Sequence, residues 1–536
     1  MRPGLTWSHL ALWAALLGYA LAALPLLPID ETRYLSVAWE MWQRSDFLVP
    51  YLNGHPYAQK PPLLFWLFQL GWGLFGVNDW WPRVAVGLVA LAALALTAGL
   101  ARTLWPGEQA AGRYGAWALL GCLLWAAFVP LVQFDMLLLL CTVLGLTGVL
   151  RAWQGQAGGW WLVGAGIGLG VLAKGPVILL HVLPAALLAP WWGGGADNGA
   201  RTGGWARWYA GLAGAVVLGA AMALAWAVPA ALAGGSAYGQ AIFWGQTAGR
   251  VVDSFAHREP WWWYLPRLPL LVLPWTVWPP VWRGVRRLAP GWSRDAGVRF
   301  VLAWLIPVLV AFSAVSGKQV KYLLPALPAI ALVAGRGLTT LPPGRLRLRA
   351  PGLLLLALGF ALAVLPLRAP SHLPDWVAAI SPAWGLGLAA AGAGLFLLPA
   401  VAPARAVALM AAAGVLLVVV GEAAVLGAAG PAYDLRPLSR VIRHYQAAGR
   451  PVANLGTYHG QFQFLGRLEH PIRALAPGQA LAWARAHRNG YLVVYYHGGR
   501  PAPPTGAVFA QPYRGDSLAV WQARQVLARP AVLPGP

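Results

Sequence analysis

Charge is the scarce commodity in this chain. Only 10% of its 536 residues are Asp, Glu, Lys or Arg, where a soluble protein carries roughly a quarter. With 59% hydrophobic residues and a mean hydropathy of +0.59, that shortage excludes a soluble globular enzyme and indicates a polytopic membrane protein. Cysteine is almost missing. Cys122 and Cys141 lie inside apolar runs, which excludes a disulfide framework and a cysteine-based metal site; both read as small core hydrophobes. No Gly-rich strand–turn–helix fingerprint occurs, so no nucleotide fold is expected. Lysine is confined to Lys60, Lys174, Lys318 and Lys321. The formal charge of +23 would suggest nucleic acid in a soluble chain. Here much of it sits in short loops between apolar runs, so topology explains it and no nucleic-acid partner is expected. What the chain has in abundance is tryptophan, 32 residues, in keeping with many positions at headgroup level.

A spanning helix needs about 20 apolar residues. Thirteen segments qualify, near 9–27, 82–104, 114–132, 136–150, 160–173, 176–192, 209–232, 262–282, 300–315, 322–338, 351–367, 383–399 and 406–428. The first resembles a signal sequence, but no good small-residue cleavage site follows, so it reads as an uncleaved helix. With the N-terminus cytoplasmic, every inner loop carries arginine and none carries lysine, from Arg102 and Arg113 through to Arg405. The outer loops then hold the lysines and most carboxylates. This distribution predicts thirteen spans in an inner membrane. No internal repeat is evident.

Residues 1–430 thus form a transmembrane domain with two organised outer loops, 28–80 and 233–261. The first contains two expected interfacial helices, near 32–45 and 61–74, joined by the turn-rich LVPYLNGHPY (48–57). After Gly430 the apolar runs end. Stretches PVANLG (451–456), YLVVYY (491–496) and LAVWQA (518–523) alternate with helical ones near 436–448 and 477–488, predicting a small α/β domain over 431–536 on the outer side.

Several charges collect at the outer helix ends: Asp30, Glu31, Arg33, Lys60, Asp135, Lys174, Arg258, Lys318 and Lys321. A lone Lys or Asp there is commonly a snorkelling anchor. DETRY (30–34) is different, because it packs two carboxylates and a cation into about one turn. Asp135 in FVPLVQFDMLLLL and Lys174 in GVLAKGPVILL are isolated in apolar surroundings, where an ionisable group is a functional hypothesis by default. Lys318 and Lys321 share SGKQVKYLLP, and either one alone could be the anchor. Carboxylates among cations suit transfer from a lipid phosphate. A carboxylate orients or deprotonates the acceptor, and Lys and Arg neutralise the departing phosphate.

DETRY (30–34), LNGHPYAQKPPLLFWL (52–67), FDMLLLL (134–140), LAKGP (172–176), HREPWWWYLP (257–266) and SGKQVKYLLPALPA (316–329) follow in an order that resembles glycosyltransferase family 39 of the GT-C superfamily. The likeness is closest to bacterial transferases that move 4-amino-4-deoxy-L-arabinose from undecaprenyl phosphate to lipid A phosphates. It implies an all-α GT-C membrane fold of about 13 helices with a C-terminal periplasmic α/β domain. It implies catalytic roles for Asp30, with Glu31 beside it, and for Asp135 as a second acidic position. Arg33, Tyr34, Tyr57, Lys60, Lys174, Arg258 and Tyr322 match positions lining the donor phosphate and sugar cavity. Gln59 stands where these transferases usually have a Glu that, with a His matching His257, can hold a metal ion. A neutral amide is a poor carboxylate substitute, so no zinc site is expected and His257 reads as a hydrogen-bonding loop residue.

The implied partners are an undecaprenyl-phosphate-linked sugar, membrane lipids and a periplasmic acceptor, foremost lipid A. An anionic acceptor is favoured by the C-terminal region, which has twelve arginines, three carboxylates and no lysine; a generally Arg-rich composition accounts for it equally well. A protein or glycan hydroxyl is the rival acceptor. A lipid-linked sugar transporter or flippase is the rival class, against which stand the missing repeated halves and the charges gathered at one face.

Overall fold

The computed structural model describes residues 5–194, 204–245, 258–368, 373–497 and 505–534. The chain begins with α1 (Trp7–Ala23) and α2 (Asp30–Arg44). A hairpin of β1 (Tyr51–Leu52) and β2 (His55–Pro56) follows, then α3 (Leu63–Phe75) and α4 (Trp81–Leu104). Next come α5 (Gln109–Leu120), α6 (Leu123–Phe128), α7 (Phe134–Trp153), α8 (Gly159–Lys174) and α9 (Ile178–Leu187). The series continues with α10 (Trp205–Gly234), α11 (Pro279–Leu288), α12 (Ala296–Ala314), α13 (Leu327–Thr339), α14 (Arg349–Val364), α15 (Pro382–Leu397) and α16 (Pro403–Tyr433). Among the described residues, seven helices are long and apolar enough to cross a membrane, and five shorter apolar helices accompany them. The protein is a multi-pass membrane protein.

Three expected spans are not continuous helices, and one of them, 176–192, breaks at Leu188 after α9. Segment 114–132 breaks between α5 and α6 at Gly121 and Cys122. Segment 262–282 becomes short turns, Trp261–Tyr264, Leu268–Leu271 and Trp275–Val277, before α11 begins. The cause is proline. Pro266, Pro269, Pro274, Pro279 and Pro280 each remove an amide donor and clash with the preceding turn. Elsewhere the bundle packs through small residues. A Cβ on Gly359 of α14 would lie 2.4 Å from the Ala389 backbone nitrogen of α15, so only glycine permits that crossing. Cys122 and Cys141 are buried and free.

In the first outer loop, α2 has Asp30 and Glu31 in its first turn and Arg44 in its last, complementing the helix dipole at both ends. Asn53 and Gly54, both at positive φ (56° and 85°), form the two-residue hairpin loop that Asn-Gly favours.

Beyond α16 the chain forms α17 (Arg436–Ala447) and a five-stranded sheet of order β4-β3-β5-β7-β6. Its strands are β3 (Val452–Leu455), β4 (Arg473–Leu475), β5 (Tyr491–Tyr496), β6 (Phe509–Tyr513) and β7 (Asp516–Gln522). β4, β3 and β5 run parallel, and β7 and β6 close the sheet antiparallel. The short β4 and β6 had no alternation in the sequence to announce them. This unit is bolted to the first loop. Asn53 exchanges hydrogen bonds with the backbone of Ile472, both 2.8 Å, and accepts from Gln463 at 2.8 Å. The Phe464 amide donates to the Ser36 hydroxyl (3.0 Å), and the Phe464 ring stacks on Trp72.

Candidate active site

One cavity, of about 930 Å³, lies where α2, the start of α7, the end of α8 and the turn before α13 converge. Asp30 lines it. Its Oδ1 accepts from Arg33 Nη2 at 2.5 Å and its Oδ2 from Lys321 Nζ at 3.1 Å. Burial alone would push this carboxyl up, but Lys321, Arg33 and Lys60 outweigh burial and hold it below the usual carboxylate range. It is therefore a carboxylate at neutral pH and a weak base.

Glu31 is adjacent in sequence and different in its contacts. It is 1% exposed, and both oxygens are committed inward. Oε1 accepts from the Val132 amide (2.7 Å), and Oε2 from the Leu27 amide (2.8 Å) and Arg83 Nη2 (3.4 Å). Arg83, at the head of α4, also donates to the carbonyls of Ala20 (3.0 Å), Leu24 and Pro25 (2.6 Å). It thereby closes the C-terminus of α1, where the backbone has no helical partners. Glu31 and Arg83 together fix the strand of chain that carries Asp30. Sequence reading paired Glu31 with Asp30 in catalysis and missed Arg83, whose setting, WPRVAV, looks like any helix start.

The second acidic position has its own partner. Asp135, in the first turn of α7 and 2% exposed, is ion-paired with Lys174 at the end of α8. The Lys174 amine lies 4.9 Å from the centre of the Tyr322 ring, within cation–π range. Tyr322 in turn stacks on Phe312. Tyr34 is buried edge-on to Phe134. Tyr57, also buried, interacts electrostatically with Arg33.

Lys60, Lys174, Lys321, Arg33, Tyr34 and Tyr322 line the cavity together with Gln59, and Gln133, Gln319 and Arg514 are linings that sequence reading did not name. Three expected residues, Tyr57, Lys318 and Arg258, are not on that wall. Lys318 is 3% exposed, and its amine is spent on the carbonyls of Glu259 (3.0 Å) and Val315 (2.5 Å). Arg258 bridges Gly317 through its backbone and its side chain is exposed. His257 lies outside the described residues. Five cations face three carboxylates around the cavity, so its wall is net positive and suits phosphate. Its described residues do not suit a divalent ion. Gln59 offers a neutral amide beside Lys60, and the nearby Asp30 carboxylate already serves two cations.

A sequence family described as dolichyl-phosphate-mannose-protein mannosyltransferase matches residues 59–198. An undecaprenyl phosphate-alpha-4-amino-4-deoxy-L-arabinose arabinosyl transferase of Pseudomonas aeruginosa is 32% identical over 372 residues, 64% of this chain and 62% of the relative. A protein of the same name from Enterobacter sp. is 30% identical over 350 residues, 61% of this chain and 59% of the relative. The matched stretch thus spans less than two thirds of these relatives. In structure the likeness is wider. ArnT from Cupriavidus metallidurans bound to undecaprenyl phosphate aligns with a TM-score of 0.73 over 96% of both chains, at 21% identity. Its apo form aligns with a TM-score of 0.74.

Proposed function

From a chain that is ArnT-like in sequence and GT-C in fold, we propose an integral membrane glycosyltransferase that takes its sugar from undecaprenyl phosphate. It works at the periplasmic face of a bacterial inner membrane, with residues 1–430 as catalytic domain and 431–536 as a periplasmic domain above it. The sugar is 4-amino-4-deoxy-L-arabinose and the acceptor a lipid A phosphate. An acceptor phosphate oxygen attacks the anomeric carbon. As that bond forms, the bond from the anomeric carbon to the donor phosphate oxygen breaks, and its electron pair leaves with undecaprenyl phosphate. Lys60, Lys174 and Lys321 offset the charge that develops on the leaving phosphate. Asp30 orients the sugar and keeps Arg33 and Lys321 in place, and Glu31 and Arg83 position the segment bearing Asp30.

One observation carries the acceptor assignment. Asp30 is held ionised by two cations, which makes it a poor general base. A phosphate acceptor is already an anion and needs no deprotonation, whereas a Ser, Thr or sugar hydroxyl does. The test is mass spectrometry of lipid A from a host that makes the aminoarabinose donor but lacks its own transferase. Expression of this protein is expected to add the mass of one aminopentose. No addition, with the protein confirmed in the membrane, would overturn the lipid A assignment and turn the search to hydroxyl acceptors.

The two neighbouring lysines separate chemistry from architecture. Lys321→Met is expected to reduce transfer about a hundredfold with little loss of stability. Lys318→Met is expected to leave transfer per folded molecule near wild type while destabilising the protein by about 1–3 kcal/mol, since the Glu259 and Val315 carbonyls lose the buried ammonium that joins them. Initial rates and thermal unfolding on the same purified samples check both.

The pH profile follows from the same pairing. Because the folded-state value of Asp30 is depressed, its carboxylate persists in the folded protein as pH falls through the ordinary Asp range, while its contribution to stability, full above that range, is lost as pH falls from there through the folded-state value. The acid limb of transfer is expected below that range, and to move upward in Lys321→Met. An acid limb unmoved by that substitution would detach the limb from Asp30.

A further inference from the structure

Among the described residues, the C-terminal domain enters the cavity at one point, the tip of the β6–β7 hairpin. Tyr513 and Asp516 are ladder partners, so Arg514 and Gly515 form the loop between them. Arg514 holds φ 60°, and the Gly515 amide donates back to the Tyr513 carbonyl at 2.8 Å. A tight turn centred on a left-handed residue is rare and strained when that residue carries a side chain. Glycine would relieve it, yet the glycine stands one position later and a guanidinium occupies the strained place. The tip is also anchored. The Arg514 amide donates to the Ala432 carbonyl at the end of α16 (3.0 Å), and Gln511 Nε2 donates to the Asp434 carbonyl (3.2 Å). So placed, the Arg514 side chain lines the same cavity as Asp30, Arg33 and Lys60.

The other cations there are largely committed. Arg33 and Lys321 share Asp30, and Lys174 holds Asp135. Among the described residues Arg514 has no carboxylate within ion-pair distance; it bonds the Tyr513 hydroxyl. His459, in the field of Arg33 and Arg514, is held below its usual value by burial and by those two charges, so at neutral pH it offers a hydrogen bond without charge. A guanidinium carried on a strained, doubly anchored turn, with no carboxylate partner among the described residues and lining a phosphate-suited cavity, is built to receive an anion.

We propose that Arg514 is the acceptor clamp: it binds the phosphate of the incoming anionic glycolipid, while the lysine wall serves the donor phosphate. This rests on the acceptor reading above. In mechanical terms the sheet domain is then part of the substrate site, and its bolts to α2 and α16 set where the acceptor phosphate stands relative to Asp30.

The test uses Arg514→Gly in the full chain, reconstituted in nanodiscs. Glycine suits the turn, so the variant is expected to unfold at or above the wild-type temperature. Three ligands are titrated without donor: phosphorylated lipid A, the same lipid A after phosphatase treatment, and undecaprenyl phosphate. Affinity for phosphorylated lipid A is expected to fall about tenfold or more, with the other two unchanged. Unchanged affinity for phosphorylated lipid A overturns the proposal. A loss confined to undecaprenyl phosphate also overturns it, assigning Arg514 to the donor. The acceptor reading is judged separately, by wild-type transfer: a wild type that modifies no lipid A overturns that reading, while the binding comparison still decides whether Arg514 holds an anion.

Discussion

Asp30→Asn is expected to lower sugar transfer about a thousandfold, in the range seen when a group acting directly on the reacting centre is removed, while leaving the protein folded. The substitution keeps the shape and one acceptor oxygen but removes the charge that holds Arg33 and Lys321. Both cations are then free to seek the donor phosphate in the ground state, which strengthens binding where it does not help and misplaces charge in the transition state. Undecaprenyl phosphate is therefore expected to bind Asp30→Asn at least as well as wild type. Asp30 is a third exposed, so the ion pairs themselves contribute little to stability, of the order of 1 kcal/mol or less. The measurement is single-turnover transfer alongside donor binding and thermal unfolding. Retention of more than a tenth of wild-type transfer would remove Asp30 from the chemistry.

Glu31→Ala is expected to fail in a different way. Its carboxylate satisfies the Leu27 and Val132 amides and faces Arg83, all out of water. Truncation leaves two amides without their acceptor and a buried guanidinium without its counter-charge, which costs about 3–5 kcal/mol. Arg83→Met is expected to cost a similar amount, because the α1 carbonyls lose their cap. The double variant Glu31→Leu with Arg83→Met removes both charges together and is expected to recover part of the loss, as the two sites are in contact and their effects do not add. Equilibrium unfolding in detergent micelles measures all three. If Glu31→Ala unfolds like wild type but is inactive, Glu31 acts on substrate and the positioning role assigned to it here is wrong.

That contrast marks where sequence stops being informative. Asp30 and Glu31 are neighbours with the same chemistry, and nothing in DETRY distinguishes them. Folding does, because successive residues of a helix point about 100° apart: one carboxylate meets Arg33 and Lys321, and the other meets Arg83 and the amides of Leu27 and Val132. Lys318 and Lys321 part company for a similar local reason, with Lys321 inside the 3-10 turn Val320–Ala326 and Lys318 in the irregular stretch before it. Asp135 and Lys174 were legible because each is alone in an apolar run, yet their pairing across 39 positions was not. Arg514 was invisible for want of any local pattern, being one arginine among twelve in its region. The membrane character and most helix positions followed from apolar length. The break at 262–282 did not, since a run interrupted by proline has the same hydropathy as an intact one.

The scarcity of lysine acquires a practical meaning once the cavity is drawn. Lys60, Lys174 and Lys321 all line it, and Lys318, the remaining lysine of the sequence, is buried. Every accessible side-chain amine of the described protein therefore belongs to one chamber. Dye conjugation, biotinylation or surface immobilisation through amines, routine handling for most proteins, amounts here to covalent modification of the substrate site. A ligand occupying that chamber would shield the whole set at once, which makes acylation a footprint of occupancy.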